Sequence, residues 1–405
     1  MDITPILSAL NRHRIAAVLI ILEIALACAV LCNALFLMSG RVGLIHQNAG
    51  IDERTLATLA LRGCDGCAHS DLNGRVLAAL RAIPGVQAVG VANTVPFGQP
   101  ASNGGICRDR TCANVAGVAH FYLLDQGAID ALKPHLERGQ GFGQGDFQNF
   151  EGFLPKDSHV WITRVLADQL WPGQDPLGKS FWTGASHFRV SGVITAMARP
   201  DPGRSEGGVA AAQWSVIVPV RDSAQSGRYV LSASALDLPR IAQTARAAIT
   251  MAAPEAVLDQ NQSRPLDELR ERYFRPDRVM AWLLILVIAA MLLVTALGIV
   301  GLASFWVQQR TRQIGIRRAL GASRGQILRY FQTENLLLTS AGIFLGMLLA
   351  YALNLVLMQH YELPRLPLHW LPLGALALLL LGQLAVLGPA RRAASVAPAV
   401  ATRSA

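Results

Sequence analysis

Apolar positions fall into four long runs separated by polar stretches of very unequal length. Residues 15–40 carry no charge except Glu23, residues 279–307 carry none, residues 333–358 are uncharged from Asn335 onward, and residues 369–390 lack Asp, Glu, Lys and Arg. A helix rises about 1.5 Å per residue, so each run is long enough to cross a bilayer core of about 30 Å. The pattern predicts four transmembrane α-helices. A cleavable leader would have a shorter apolar region and a small-x-small cleavage site, so residues 15–40 read as a retained helix. Residues 1–14 are then a short arm, 308–332 and 359–368 are loops, and 391–405 are a tail.

Residues 41–278 are polar and too long for a loop, so they predict a folded domain outside the membrane, ending in a charged helical stalk over 265–278. Their pattern alternates between periods of two and 3.6. Strands are expected at 55–61, 86–92, 115–124, 188–194, 216–220, 229–235 and 256–258, and helices at 70–81, 159–170 and 239–251. Pro84-Gly85 and Pro172-Gly173 break the chain between them, and 139–157, rich in Gly, Gln and Phe, reads as loop. The expected fold class is a membrane protein of four transmembrane α-helices, with a large two-lobed α+β extracytoplasmic domain between helix 1 and helix 2.

Composition agrees: 52% of the 405 residues are hydrophobic and 16% charged. The net charge of +9 is uneven. The arm, the 308–332 loop and the tail hold 11 Lys and Arg (2, 6 and 3) against one acid, Asp2. Nucleic-acid binding would gather charge on a soluble face, whereas here it follows topology, so no nucleic-acid partner is expected. The reading is a multi-pass inner (plasma) membrane protein with both termini cytoplasmic and membrane lipids as neighbours.

The 308–332 loop carries Arg310, Arg312, Arg317, Arg318, Arg324 and Arg329 and no acid. Ile314, Ile316, Ala319 and Leu320 make a short apolar stripe, Gly321 suits a helix end, and Ser323 with Gln326 reads as a capping box opening a new helix. A short cytoplasmic helix between two spans suits docking on a cytosolic partner; the bland alternative is a basic loop meeting lipid headgroups. R-T-R-Q-I-G-I-R-R-A-L-G-A, residues 310–322, resembles the signature of MacB-like and FtsX-like permease subunits of ABC transporters. L-W-P-G-Q-D-P-L-G-K-S-F (170–181) followed by F-R-V-S-G-V-I (188–194) resembles the MacB-type periplasmic core domain. The resemblance covers most of the chain, with 93–113 and 139–157 individual. It implies a coupling helix seated on an ATPase, with Arg312, Gln313, Ile314, Gly315, Arg317, Arg318, Gly321 and Ala322 as coupling residues. Gly315 and Gly321 would allow close approach. Gln313 departs from the Glu usual in the family, which removes a negative charge from that contact.

Candidate chemistry is sparse. Gly173 to Ser180 fits G-x-x-x-x-G-K-[ST] letter by letter, but Pro176 removes a backbone donor and Phe181-Trp182-Thr183-Gly184 does not open a helix. No nucleotide site is read there, no cofactor is expected, and the ATPase is expected on a separate chain. Cys64, Cys67, Cys107 and Cys112 suit two disulfides in any of three pairings; a four-thiolate zinc site and a redox-active Cys64-x-x-Cys67 remain alternatives. Cys28 and Cys32 read as small packing residues. Glu23, nine residues from Arg14, reads as lying near the cytoplasmic headgroups within reach of Arg14 or the basic loop, the alternative being a polar contact inside the bundle. Gly342, Gly346 and Ala350, four apart, permit close helix packing or are incidental. No catalytic set and no committed metal ligands emerge from spacing.

The resemblance implies a permease that relays ATP-driven motion of a separate cytosolic ABC ATPase to its periplasmic domain, paired with a second permease. Efflux or export of a drug, peptide or lipid-linked substrate follows, with a periplasmic adaptor and an outer-membrane channel as further partners. The alternatives are a non-transporting signal relay, controlling a cell-wall hydrolase or sensing a peptide, and a membrane-anchored enzyme using the external thiols.

Overall fold

The computed structural model describes residues 14–63, 68–204, 208–361 and 366–395. The chain divides into two compact units, one of Val42–Arg278 and one built from the segments on either side of it.

In chain order the elements are α1 (Arg14–Ile45), β1 (Leu56–Arg62), α2 (His69–Arg81), β2 (Val86–Val91), β3 (Asn103–Cys107), β4 (Val115–Leu124), α3 (Gln126–Leu132), β5 (Leu136–Gly139), β6 (Asp157–Thr163), α4 (Arg164–Leu170), β7 (Ser180–Thr183) and β8 (Ser186–Ile194). They continue with β9 (Ser215–Pro219), β10 (Arg228–Ala233), α5 (Leu238–Ala252), β11 (Val257–Leu258), α6 (Leu266–Tyr273), α7 (Arg275–Gln309), α8 (Thr311–Ala319), α9 (Arg324–Tyr361) and α10 (Trp370–Ser395).

The inserted unit is α+β with two sheets. One has four strands in the order β11-β1-β10-β2, and α2 and α5 pack on it through Leu72, Val76, Leu80, Ile241, Ala245 and Ile249. The other runs β5-β8-β6-β9-β4-β3-β7 and closes on itself where β7 also pairs β8. Phe121, Phe181 and Phe188 stack at its centre, with ring centroids 5.4–5.5 Å apart. The expected helix over 159–170 is instead β6 followed by α4. As a central strand β6 buries Val160 and Ile162 on one face and Trp161 on the other, which hides the period-two signal. No strand was expected at β3, which contains Gly104 and Gly105; a Cβ on Gly104 would lie 2.4 Å from Thr183 Oγ1.

Within this unit, the segment leaving α1 and the segment entering α7 are tied together. Arg270 of α6 donates to the Ile45 carbonyl at 2.8 Å and the Gln47 carbonyl at 2.6 Å, and pairs with Glu53. Its guanidinium lies 5.1 Å from the Phe97 ring.

Among the described residues, four helices are long and apolar enough to cross a membrane: Ala17–Ile45, Arg275–Gln309, Arg324–Val356 and Trp370–Ser395. α1 is the most buried of them, with Ile20, Ile24, Cys28, Leu31 and Cys32 enclosed. Gly342 and Gly346 of α9 form its seat: an added Cβ would lie 2.8 Å from Ile24 Cβ at the first and 2.5 Å from Cys28 Cβ at the second. Asn33 donates to the Ala350 carbonyl at 3.2 Å, so the small-residue stripe is a true helix contact.

Candidate functional site

The site is built at the polar elbow between α7 and α9. α7 ends at Gln309, the chain bends at Arg310, and α8 runs for nine residues before Gly321 turns it with φ +96°. That left-handed turn suits glycine, which has no Cβ to clash. Ser323 and Gln326 then cap α9 reciprocally: Ser323 N donates to Gln326 Oε1 at 2.9 Å, and Gln326 N donates to Ser323 Oγ at 3.2 Å.

The α8 stripe splits between two faces. Ile314 and Gly315 are buried, Ile314 packing with Val307, Ile327, Phe331, Ala390 and Ala393. Gly315 thus lies on the packed side of α8. Arg312, Gln313, Ile316, Arg317 and Leu320 are exposed, Leu320 at 83%. Arg318 is half-buried and donates to the Ala394 carbonyl of α10 at 3.2 Å. Arg317 lies over the Tyr330 ring at 5.1 Å. Gly321 is exposed and Ala322 half-buried at the turn. The outward surface is thus apolar at Ile316 and Leu320 and cationic at Arg312 and Arg317, held rigidly by packing behind it. Such a surface can grip an apolar groove rimmed with acids.

Residues 285–398, which contain this elbow, match the family model described as the FtsX-like permease C-terminal domain. The chain is also 26% identical over 300 residues to an ABC transporter permease, YknZ, of Bacillus subtilis, covering 73% of this chain and 71% of that one. Residues 285–398 are thus an FtsX-like permease domain, and the chain's relatives are ABC-transporter permeases of the YknZ and MacB type. Against the macrolide export ATP-binding/permease protein MacB of Marinobacter nauticus it is 28% identical over 197 residues, 47% of this permease and 30% of the relative. The crystal structure of the extracellular domain of YknZ covers 50% of the permease and 98% of its own chain, at 16% identity and TM-score 0.33.

The other expected sites resolve differently. In the permease, Gly173 to Ser180 is a turn leading into the β7–β8 hairpin, with no helix after it. Its backbone donors are used internally: Gly178 N donates to the Val190 carbonyl at 2.9 Å and Lys179 N to that of Pro176 at 3.1 Å. Lys179 pairs with Gln174 and lies over Trp171. Cys107 and Cys112 are joined by a disulfide, while Cys64 and Cys67 lie outside the described residues. Glu23 is half-buried against α7: its Oε1 occupies the space a Cβ on Gly298 would need, 2.5 Å away.

Sequence reasoning passed over a buried polar cluster under β4. His120 Nδ1 donates to Asn103 Oδ1 at 2.8 Å, Arg199 Nη1 donates to the Val118 carbonyl at 3.0 Å, and Asp201 lies 3.6 Å from Arg199. Burial, and then the charges of Arg199 and Arg228, push the His120 imidazole down to about 3, so it is neutral. Asp125, which accepts from Val91 N and Ala128 N and caps α3, is pushed up by burial to about 6. Neither group stood out in the sequence, because only the fold buries them.

Proposed function

We propose that this permease relays the ATP-driven motion of a cytosolic ABC ATPase, carried on a separate chain, through its four spans to the inserted domain. The observation that carries the reading is the outward face of α8: two exposed apolar side chains, Ile316 and Leu320, beside Arg312 and Arg317, on a helix whose opposite face is locked into the bundle. Apolar side chains on a cytoplasmic elbow would be left in water without a partner, which favours docking over mere attraction to headgroups.

The excess of Arg in the 308–332 loop supports placing the elbow, and with it both termini, on the cytoplasmic side. The inserted domain then works outside the membrane. The few polar groups inside the spans, such as Glu23, Asn33 and Gln383, are too sparse to line a path for a polar cargo. Work on the external side follows, with efflux or export of a drug, peptide or lipid-linked substrate as the output and a second permease completing the unit; the MacB relative, whose name states macrolide export, favours this class.

Co-purification with the ATPase tests the reading. Ile316→Asp with Leu320→Asp is expected to release the ATPase at least tenfold while the permease stays inserted and monodisperse. Retention of the ATPase by this variant would refute docking through α8.

A further inference from the structure

A docking helix is useful only if its displacement reaches the spans. The backbone at Arg310 departs from helix geometry, with φ −101° and ψ 8°, so α7 and α8 are separate segments at this point. The Arg310 side chain turns inward instead of toward solvent. Its Nη1 donates to both carboxylate oxygens of Glu334, each at 2.9 Å, and its guanidinium lies 5.9 Å from the Trp306 ring. Glu334 is 1% exposed and stands in α9, eleven residues after Ser323. One nearly solvent-free ion pair therefore joins the bend before α8 to the third span. Arg317 over Tyr330 makes a second tie to the same helix, and Ile314 fills the space between.

A buried ion pair is a poor source of net stability, because desolvation offsets most of the attraction. It is a good source of fixed geometry, since moving one partner away from the other breaks two charge-assisted hydrogen bonds in a nearly dry site. Apolar packing by itself would let α8 slide over α9 with small losses. The pair makes sliding costly and translation together cheap.

We propose that Arg310 and Glu334 form a positioning joint that makes the coupling helix and the third span move as one body, a role that rests on the docking reading above. The joint receives the push at Ile316 and Leu320 and passes it into α9. Neither residue touches the ATPase or the cargo.

The test uses the full permease with its ATPase in lipid nanodiscs, and non-natural spectroscopic labels at Val279 of α7 and Leu353 of α9, both exposed. Trapping with ATP and vanadate is expected to change the label-to-label distance in the wild type. Arg310→Gln and Glu334→Gln are expected to hold the ATPase as the wild type does, yet to lose more than half of that change. The swapped pair, Arg310→Glu with Glu334→Arg, is expected to regain it. A full distance change in the single variants overturns the joint. If a single variant does not reach the membrane intact, the neutral double variant Arg310→Met with Glu334→Gln is read instead, and an undiminished change there also overturns it. Failure of the wild type to retain any ATPase overturns the docking reading itself, which separates the two outcomes.

Discussion

His120 and Asp125 pull the inserted domain's stability in opposite directions with pH. The unfolded imidazole binds a proton below about 6.5 and the folded one does not until about 3, so His120 destabilises the fold as pH falls through that window. Asp125 has the opposite sign: its folded carboxyl takes up a proton near 6, the unfolded one near 3.8, so acid stabilises through it. Each pH unit is worth up to about 1.4 kcal/mol per group, and between pH 6.5 and 4.5 the two effects, about 2 kcal/mol each, nearly cancel. Removing one exposes the other. Thermal melts of the permease in detergent should show Asp125→Asn losing stability from pH 6.5 to 4.5 and His120→Asn gaining it. Parallel pH profiles for both variants and the wild type would contradict this assignment.

At the scale of elements, the small-residue stripe of α9 was visible as a spacing, but its partner was not. Only the fold shows that α1 fills it, with Ile24 and Cys28 against Gly342 and Gly346. Gly346→Val is expected to force the two helices apart and cost about 1–3 kcal/mol, read as a lower melting temperature. Gly301→Val, where nothing lies within 4 Å, should leave melting near the wild type. An equal loss in both would place the effect in helix propensity and not in the α1–α9 contact. The capping box was also legible, because Ser and Gln three apart define it locally. Ser323→Ala should remove about 1 kcal/mol and fray the start of α9, visible as faster hydrogen exchange over 324–328.

For the molecule as a whole, the long runs were legible because a bilayer demands about twenty apolar residues in a row, a signal that little else produces. Most strands of the inserted domain were legible too. The strands not expected were β3, β5, β6 and β7: β5 and β7 are only four residues long, β6 is buried on both faces and so loses its alternation, and β3 carries the glycines its neighbours require. On α8, sequence gave the residues but not their sides. Ile314 and Ile316 look equivalent in the stripe, yet one packs on α10 and the other faces out. Arg317 and Arg318 look alike, yet Arg318 is engaged with the Ala394 carbonyl.

That division of faces is what the central claim depends on, and site-specific photo-crosslinking in native membranes reads it directly. A crosslinking side chain is placed in turn at Arg312, Ile314, Gly315, Ile316 and Leu320, and capture of the ATPase is scored. The account predicts capture from Arg312, Ile316 and Leu320 and none from Ile314 or Gly315. Capture from all five alike, or from none, would contradict a coupling helix that docks through one face.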